Sequence, residues 1–467
     1  MKKDLLVEAN ERTRVLSSKE RVSPASVDRT PENPSGQPPA VIIVGPPWPR
    51  SGTARVIQNQ IRYYRERGFY VVLVTVPFLW YSIHVAQNPD KMVELIKGMN
   101  ELGADRMLIA TLDQKSYNVA KYKASVRHVF RGTALDWQVA VGKAAWLSDE
   151  DIDFLGRLRA VLFHVNHVYT LGFALNLRRQ FLGGGSPPPI ILETHDVQSH
   201  LLQDRGDRNP WTGRPDRLER LIKSETSLLE KANVLIHLSV DDCDLFQRLM
   251  PSKPQFLVFP SIDENFISTV NEAPPPAEGL DLLFVGQWHH ANLAAIKWFF
   301  DQVWPLIADR RYILKIVGPI GSMVQRNLPQ LHETFRSCFA GEVADLVPYY
   351  RAARCVIAPM VLGSGISIKT IEALALGKPF VGTPKAFRGM PMERLKAAGI
   401  QAHDEPQAFA DAIVRALSSE REGQAPSRAA YETIFSARAS FSARDEALRA
   451  ATASRQQMPL LKRFGLL

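Results

Sequence analysis

The sequence lacks the features that mark several common protein classes. Its 467 residues contain three cysteines, which are far apart and form no Cys-x-x-Cys pair: Cys243, Cys338 and Cys355. This pattern excludes a disulfide framework and a zinc ribbon and favours a reducing compartment. No stretch approaches the roughly 20 apolar residues of a membrane-spanning helix, and charges interrupt the N-terminal residues before a signal peptide could form. We therefore expect a cytoplasmic protein that is soluble or peripheral.

Nucleic-acid and dinucleotide signatures are also missing. There is no zinc finger, no RNP-like aromatic strand and no run of five basic residues, so nucleic acid is not an expected partner. Neither GxGxxG nor GxxxxGK[ST] occurs, which argues against a dehydrogenase. The net charge of +9 favours anionic partners such as nucleotide phosphates or an acidic membrane surface. Basic and apolar residues at 460–464 would permit peripheral membrane contact, although a solvated tail explains them more simply.

Short apolar runs that alternate with helical patterns predict an α/β protein. Such runs are typical of parallel strands covered on both faces. A proline-rich break at 271–279 separates two sets, so we predict two doubly wound, Rossmann-like domains with a ligand cleft between their C-terminal strand ends. The predicted strands are 41–44, 71–76, 107–110, 161–165, 190–193, 234–238 and 256–259 in the first domain, and 282–285, 313–317, 355–358 and 380–382 in the second.

The predicted boundaries follow from composition. Residues 1–40 combine mixed charges with proline and serine and are predicted to form a disordered tail. The first domain is predicted at 41–265 and the second at 266–435, with a helical segment at 436–456 and a short tail at 457–467. The length agrees with two larger domains, because single cores stop growing near 250–300 residues.

Two strand-to-helix loops are candidate ligand sites. The loop that contains Gly52 begins a helix, where free backbone N–H groups favour an anion, but a tight turn explains its glycines equally well. In the second loop, Gly286 would let a ligand approach the backbone and Asn292 is the predicted helix N-cap. The adjacent His289 and His290 are interpreted as loop residues, since neighbouring positions rarely bind one metal ion.

A glycine-rich loop in the second domain carries the most information. It contains Gly363, Ser364 and Gly365 and leads into a helix predicted from about 366 to 377. Lys369 and Glu372, three residues apart, would share one face of this helix. An ammonium group can hold a diphosphate and a carboxylate can accept hydrogen bonds from ribose. The alternative is an exposed ion pair worth about 0.3–0.5 kcal/mol.

The pattern Gly-x-Gly-x-x-x-Lys-x-x-Glu-Ala-x-Ala-x-Gly-x-Pro, over 363–379, resembles the donor motif of GT-B glycosyltransferases of the family-four type, the group 1 glycosyl transferases. The resemblance extends over about 41–450. It implies a GT-B fold, acceptor binding in the first domain, nucleotide-sugar binding in the second, and a C-terminal helix over 436–456 that crosses back onto the first domain. It also implies that Glu372 holds the donor ribose.

The sequence departs from this family at two points. Many members carry two glutamates separated by seven residues, but Ser364 stands where the first would be. Its sugar contacts would pass to backbone amides and the Ser364 hydroxyl. The usual Arg and Lys diphosphate pair is missing after Gly286, and Lys369 would supply the lost charge.

His195 and Asp196 end a predicted strand of the first domain. The resemblance implies that His195 contacts the donor sugar, and Asp196 would fix its tautomer or touch the acceptor. Taken alone, a loop histidine with a neighbouring acid is the simpler interpretation. His164 and His167 end the preceding strand and are predicted to line the same cleft, without forming a metal site.

The segment 149–153 contains the Asp-x-Asp spacing of metal-dependent glycosyltransferases. Because Ser148 precedes three acids and an apolar run, we interpret it as a capped helix start. No metal or cofactor is expected.

The sequence as a whole predicts a retaining, metal-independent hexosyl or related glycosyltransferase. Its partners would be a nucleotide-diphosphate sugar, as co-substrate, and a glycan, lipid-linked or polysaccharide acceptor. Two alternatives remain: a catalytically silent GT-B subunit, favoured by Ser364, and a sugar-nucleotide epimerase. The predicted catalytic residues are His195, Asp196 and Lys369, and the predicted nucleotide-sugar residues are Gly52, Gly286, Gly363, Ser364, Gly365, Ser367, Lys369 and Glu372.

Overall fold

The computed structural model describes residues 39–49, 51–77, 89–112, 118–119, 132–181, 187–274, 279–418 and 425–453. The predicted tails, 1–40 and 457–467, lie outside these ranges, except that residues 39 and 40 begin the first strand. Residues 460–464, with their predicted membrane contact, are also outside them.

The first sheet contains seven parallel strands in the order β3-β2-β1-β4-β5-β6-β7. Every residue of the central strand β1 is buried, which explains its uninterrupted apolar sequence. The seven strands are β1 (Pro39–Gly45), β2 (Tyr70–Thr75), β3 (Arg106–Ile109), β4 (Arg159–Asn166), β5 (Ile190–Glu193), β6 (Val234–His237) and β7 (Gln255–Leu257).

The second sheet contains five parallel strands in the order β10-β9-β8-β11-β12. They are β8 (Leu280–Val285), β9 (Leu314–Val317), β10 (Phe339–Gly341), β11 (Ala353–Ala358) and β12 (Phe380–Gly382). Four of them match the predicted strands. The sequence analysis missed β10, a three-residue edge strand that is only partly buried. The prediction of two doubly wound α/β domains is confirmed.

Helices cover both sheets. They are α1 (Gly52–Glu66), α2 (Pro89–Asn100), α3 (Ala134–Gly142), α4 (Asp149–Gly156), α5 (Leu171–Arg178), α6 (Gln198–Asp204), α7 (Leu218–Leu229), α8 (Val240–Leu249), α9 (Glu264–Glu272), α10 (His290–Trp298), α11 (Ile320–Asn327), α12 (Pro329–Thr334), α13 (Val347–Ala352), α14 (Ile368–Ala375), α15 (Met392–Ala397), α16 (Pro406–Ser418), α17 (Ala425–Ile434) and α18 (Ala437–Thr452).

The strand order reverses between β1 and β4 in the first sheet and between β8 and β11 in the second. At such a point the loops after the two central strands diverge and leave a crevice, where doubly wound sheets bind ligands. In the second domain these two loops are the one that contains Gly286 and the glycine-rich loop at 363–365. The topology therefore places both sequence-predicted donor loops at one crevice.

Helix α18 packs on the first sheet, although it follows the second domain in sequence. Its apolar side chains Phe441, Ala447 and Leu448 join the core formed by one face of the first sheet, which includes Val41 and Ile191. Arg444, on the same helix, is 2% exposed. The chain thus returns to the first domain and buries a cation there.

Candidate functional site

The two domains meet across the cleft at their strand-end loops. A Cβ atom added at Gly52, in the first domain, would lie 3.2 Å from the Ile368 side chain at the start of α14. The backbone N–H of Val240 donates across the same boundary to the carbonyl oxygen of Gly389 (2.9 Å). The sequence-predicted loops of both domains are therefore neighbours.

The glycine-rich loop needs its glycines. Gly363 and Gly365 have φ values of 137° and 60°, which L side chains rarely adopt. A Cβ atom at Gly365 would lie 2.3 Å from Oδ1 of Asp196, and one at Gly363 would lie 2.9 Å from Cζ of Arg388. Backbone freedom and close approach both require glycine here.

Lys369 lies in the first turn of α14 and is half-buried. Its Nζ donates to Oδ1 of Asn292 (2.6 Å) and sits 4.3 Å from the centre of the Phe284 ring. Burial and, to a smaller extent, the charge of Arg388 lower the pKa of Lys369 to about 7, while the charge of Glu372 opposes the shift. An anion that entered this site would stabilise the ammonium form.

Glu372 is 8% exposed and also faces the domain boundary. One carboxylate oxygen accepts a hydrogen bond from the hydroxyl of Tyr350 (2.9 Å), and the other lies 3.8 Å from Nε of Arg55 in the first domain. Burial raises the pKa of Tyr350 well above its usual value, so the phenol keeps its proton. Lys369 and Glu372 thus have separate partners and do not form the exposed surface pair of the alternative interpretation.

The predicted N-cap at Asn292 is wrong. Helix α10 begins at His290, and Nδ1 of His289 accepts the capping hydrogen bond from the N–H of Ala291 (3.1 Å). A ring nitrogen replaces the usual side-chain oxygen. Asn292 is therefore free to donate to the carbonyl oxygen of Gln287 (2.9 Å) and to accept from Lys369.

Three other predicted site residues differ in their surroundings. Gly52 is exposed at the start of α1, whose N-cap is Ser51. The space beside Gly286 is filled, because an added Cβ would lie 2.8 Å from the Phe284 ring and 3.0 Å from Ile320. The hydroxyl of Ser367, 2% exposed, lies 2.9 Å from that of Thr370, whose own proton is donated to the carbonyl oxygen of Ala386 (2.7 Å). The structure thus places Gly286 and Ser367 in packed surroundings, in contrast to Gly52.

His195 lies in a strained turn after β5. Its φ of 63° and that of His167, 65°, are in the left-handed region, at a cost of about 1–3 kcal/mol each. The two rings stack with centroids 4.0 Å apart. Nε2 of His195 is 2.8 Å from Oδ1 of Asn166, which also accepts from Gln60, so His195 is the donor there. Burial lowers the pKa of His195 to about 4, so the ring is neutral.

Asp196 reaches across the cleft from the same turn. Burial raises the pKa of its carboxyl to about 6, while the charges of Arg388 and Arg205 and a side-chain hydrogen bond from Ser364 oppose the shift. Ser364, at the position of the missing glutamate, therefore contacts a carboxylate of the other domain.

His164 does not line the cleft as predicted. It is fully buried within β4, where Nε2 is 3.0 Å from Glu193 and Nδ1 is 2.8 Å from the hydroxyl of Tyr64. Strand β4 continues past it, so only His167 reaches the loop.

Glu193 and Arg444 form a buried ion pair that the sequence analysis missed. Nη1 and Nη2 of Arg444 lie 2.7 and 3.2 Å from the two carboxylate oxygens. This charge, together with His164, holds the pKa of Glu193 well below its usual range against the effect of burial. An acid at the end of an apolar strand signals that a partner is needed, but nothing local identifies one 251 positions away.

The Asp-x-Asp segment is a helix start, as interpreted. Oγ of Ser148 accepts from the N–H of Asp151 (3.2 Å) in the first turn of α4. Within the described ranges, no group of three His, Cys, Asp or Glu residues could hold a metal ion. Within the same ranges, no helix is long and apolar enough to cross a membrane.

Comparison with known proteins identifies the fold. Residues 279–419 match the family model of group 1 glycosyl transferases. No curated protein sequence matches the chain. Sucrose-phosphate synthase from Thermosynechococcus elongatus is 16% identical, with 90% of this chain and 100% of that chain covered and a TM-score of 0.56.

Two further structures are similar over most of the chain. Anabaena HepE, in complex with UDP and glucose, is 13% identical, covering 87% of this chain and 98% of that chain with a TM-score of 0.55. A protein from Listeria monocytogenes described as a candidate UDP-N-acetylglucosamine 2-epimerase is 10% identical, covering 90% of this chain and 97% of that chain with a TM-score of 0.52. The GT-B fold and the resemblance to group 1 glycosyl transferases are therefore confirmed, and the glycine-rich motif lies within the matched residues.

Proposed function

We propose that this protein transfers a sugar from a nucleotide-diphosphate donor, bound in the second domain, to an acceptor bound in the first. The observation that carries the proposal is the placement of Lys369 and Glu372, three residues apart on α14, at the crevice where the two domains meet. A cation and a carboxylate at this spacing suit a diphosphate and a ribose.

In the proposed reaction the bond between the anomeric carbon and the diphosphate oxygen breaks, and the acceptor hydroxyl oxygen bonds the same carbon. The acceptor proton passes to the departing diphosphate. Lys369 stabilises the charge on that leaving group, while His195, which is neutral, positions the sugar and Asp196 positions the acceptor. We propose from the resemblance that configuration is retained. We propose also that no metal ion takes part, because the ammonium group of Lys369 can supply the positive charge that the leaving diphosphate needs.

A glycan or lipid-linked acceptor is proposed from the resemblance alone. UDP is the first nucleotide to test, because HepE has been solved with UDP and glucose. The full chain should be screened for thermal stabilisation by UDP, GDP and ADP; a ligand at 100 times its Kd adds about 2.7 kcal/mol of stability. The matching nucleotide sugars are then incubated with and without acceptors, and nucleotide release is measured.

Each outcome separates the alternatives. Acceptor-dependent release supports transfer, whereas stabilisation by none of the three nucleotides contradicts it. Conversion of the sugar without an acceptor would indicate the epimerase, the activity named for the Listeria relative. Nucleotide binding without slow donor hydrolysis would indicate a silent subunit, the alternative that Ser364 favours.

A further inference from the structure

The loop after β12 brings an unexpected guanidinium group beneath the glycine-rich loop. Nε of Arg388 donates to the carbonyl oxygen of Ser364 (2.8 Å), and Nη1 donates to that of Lys385 (3.0 Å). Nη2 is 3.3 Å from the position that a Cβ atom would take at Gly363. Two backbone carbonyls therefore hold this side chain against Gly363, which has no side chain to keep it away.

Several cationic groups face the same space. The charge of Arg388 lowers the pKa of Lys369, after burial, and contributes to the lowered pKa of His289. Arg205, from the first domain, also acts on His289. Like charges brought together in a partly buried cleft repel each other, and an entering polyanion removes that repulsion.

Asp196 supplies the opposing negative charge from the other domain. Its Oδ1 lies against Gly365, its side chain accepts a hydrogen bond from Ser364, and its charge acts on Arg388. Burial lowers the pKa of Arg388, and Asp196 opposes that shift. Glu372, on α14, accepts a hydrogen bond from Tyr350, and Asp241 accepts one from the backbone N–H of Gly389 (3.3 Å). Asp196 is therefore placed to balance Arg388 while no anion is bound.

We propose that Arg388 is the second cation of the donor diphosphate site, acting with Lys369, and that Asp196 neutralises it when the site is empty. This inference rests on the proposed function. A guanidinium fork suits phosphate oxygens better than a second ammonium group would, because it offers parallel donors at a fixed spacing. Lys369 and Arg388 would thus replace the Arg and Lys pair that is missing after Gly286, with Arg388 supplied by a different loop.

Titration calorimetry with nucleoside diphosphates and the matching monophosphates tests this on the full chain. Arg388→Gln should weaken diphosphate binding about tenfold or more, with monophosphate binding nearly unchanged. Inorganic pyrophosphate should lose affinity in parallel. Arg336→Gln removes a side chain that is 77% exposed and should change neither ligand, so it controls for net charge.

A second variant should change the affinity for nucleoside diphosphate in the opposite direction. Asp196→Asn removes the carboxylate that competes for Arg388, so nucleoside diphosphate should bind roughly threefold more tightly or better. Asp309→Asn, at a side chain that is 79% exposed, is the matched control. If Arg388→Gln fails to fold, Asp196→Asn and the charge-retaining Arg388→Lys decide whether Arg388 takes part in diphosphate binding.

The results separate this inference from the proposed function. If Arg388→Gln keeps the wild-type preference for diphosphate over monophosphate, or if Asp196→Asn does not bind diphosphate more tightly, the proposed role of Arg388 is wrong. The proposed glycosyltransferase function still holds in that case, provided that the wild-type protein turns over a nucleotide-sugar donor. A wild-type chain that binds neither nucleoside diphosphate nor pyrophosphate overturns both.

Discussion

The strand-end rims of the two sheets differ in how their polar groups are held. In the first rim, Asn166, His167 and His195 are neutral and linked by hydrogen bonds and ring stacking. In the second rim, Lys369 donates to Asn292, and Arg388 donates to the carbonyl oxygen of Ser364 in the glycine-rich loop. The neutral groups of the first rim therefore fix positions, whereas the second rim presents positive charge. That division suits a reaction in which a neutral sugar leaves an anionic group.

The largest expected effect concerns the support of the first rim. Arg444→Met leaves the buried carboxylate of Glu193, just before the turn that contains His195, without its charged partner. The free energy of unfolding should fall by about 3–5 kcal/mol. Urea denaturation of the full chain measures this. Arg449→Met, at an exposed position of the same helix, should have little effect.

The pH dependence of Arg444→Met checks the cause. With Arg444 present the pKa of Glu193 is depressed, so its contribution to stability is complete above the ordinary pKa of a glutamate and is lost progressively as the pH falls below that value. Without Arg444, burial raises that pKa and Glu193 takes up a proton as the pH falls. The stability loss caused by Arg444→Met should therefore be smaller at acidic than at neutral pH. An equal loss at both pH values would exclude an unpaired, ionised Glu193 as its cause.

Lys369→Ala tests the second rim directly. Loss of this ammonium group should reduce turnover of the nucleotide sugar found in the screen by about 100-fold or more, on the scale of 2.7–4 kcal/mol for one contact to a developing charge. Lys297→Ala, at a side chain that is 58% exposed in the same domain, is the control. Unchanged kinetics in a folded Lys369→Ala protein would exclude the leaving-group role.

Glu372→Gln separates ribose binding from diphosphate binding. Hydrogen bonds to a charged group contribute about 1.5–3 kcal/mol, so nucleoside diphosphate affinity should fall about tenfold or more while pyrophosphate affinity is retained. Measurements at pH 6 keep Lys369 protonated. Glu333→Gln, 75% exposed, serves as the control. An equal loss for both ligands would place Glu372 at the diphosphate instead.

The smallest effect is the pH dependence of nucleoside diphosphate binding. The pKa of Lys369 is about 7, and a bound diphosphate must raise it. Affinity should be nearly constant just below pH 7 and fall by up to about tenfold per unit above it. Calorimetry in buffers of different ionisation enthalpy should detect proton uptake at pH 7.5. Its persistence in Lys369→Ala would assign the proton to another group.

The sequence predicted most of the fold because its signals are local. Apolar runs located all seven strands of the first sheet, and only the short edge strand β10 lacked such a run. The glycine-rich loop, Lys369 and Glu372 were recognised from their spacing. Asn292 was misassigned because a histidine ring took over the capping bond.

The partners of these residues left no comparable signal. Arg388 follows an unremarkable loop, Arg55 is one of several arginines on α1, and Arg444 is 251 positions from Glu193. Their importance comes from the elements they contact, which no local pattern specifies.

The two α/β domains and the loop with its ammonium and carboxylate groups can be read from the amino-acid sequence, because hydrophobic periodicity and glycine placement act over a few residues. The contacts of Asp196 with Ser364 and Arg388 across the cleft, and the burial of Arg444 beside Glu193 by α18, arise from three-dimensional packing alone. Such charges gain stability by meeting in a space that packing creates, and the chain distance between them carries no information about it.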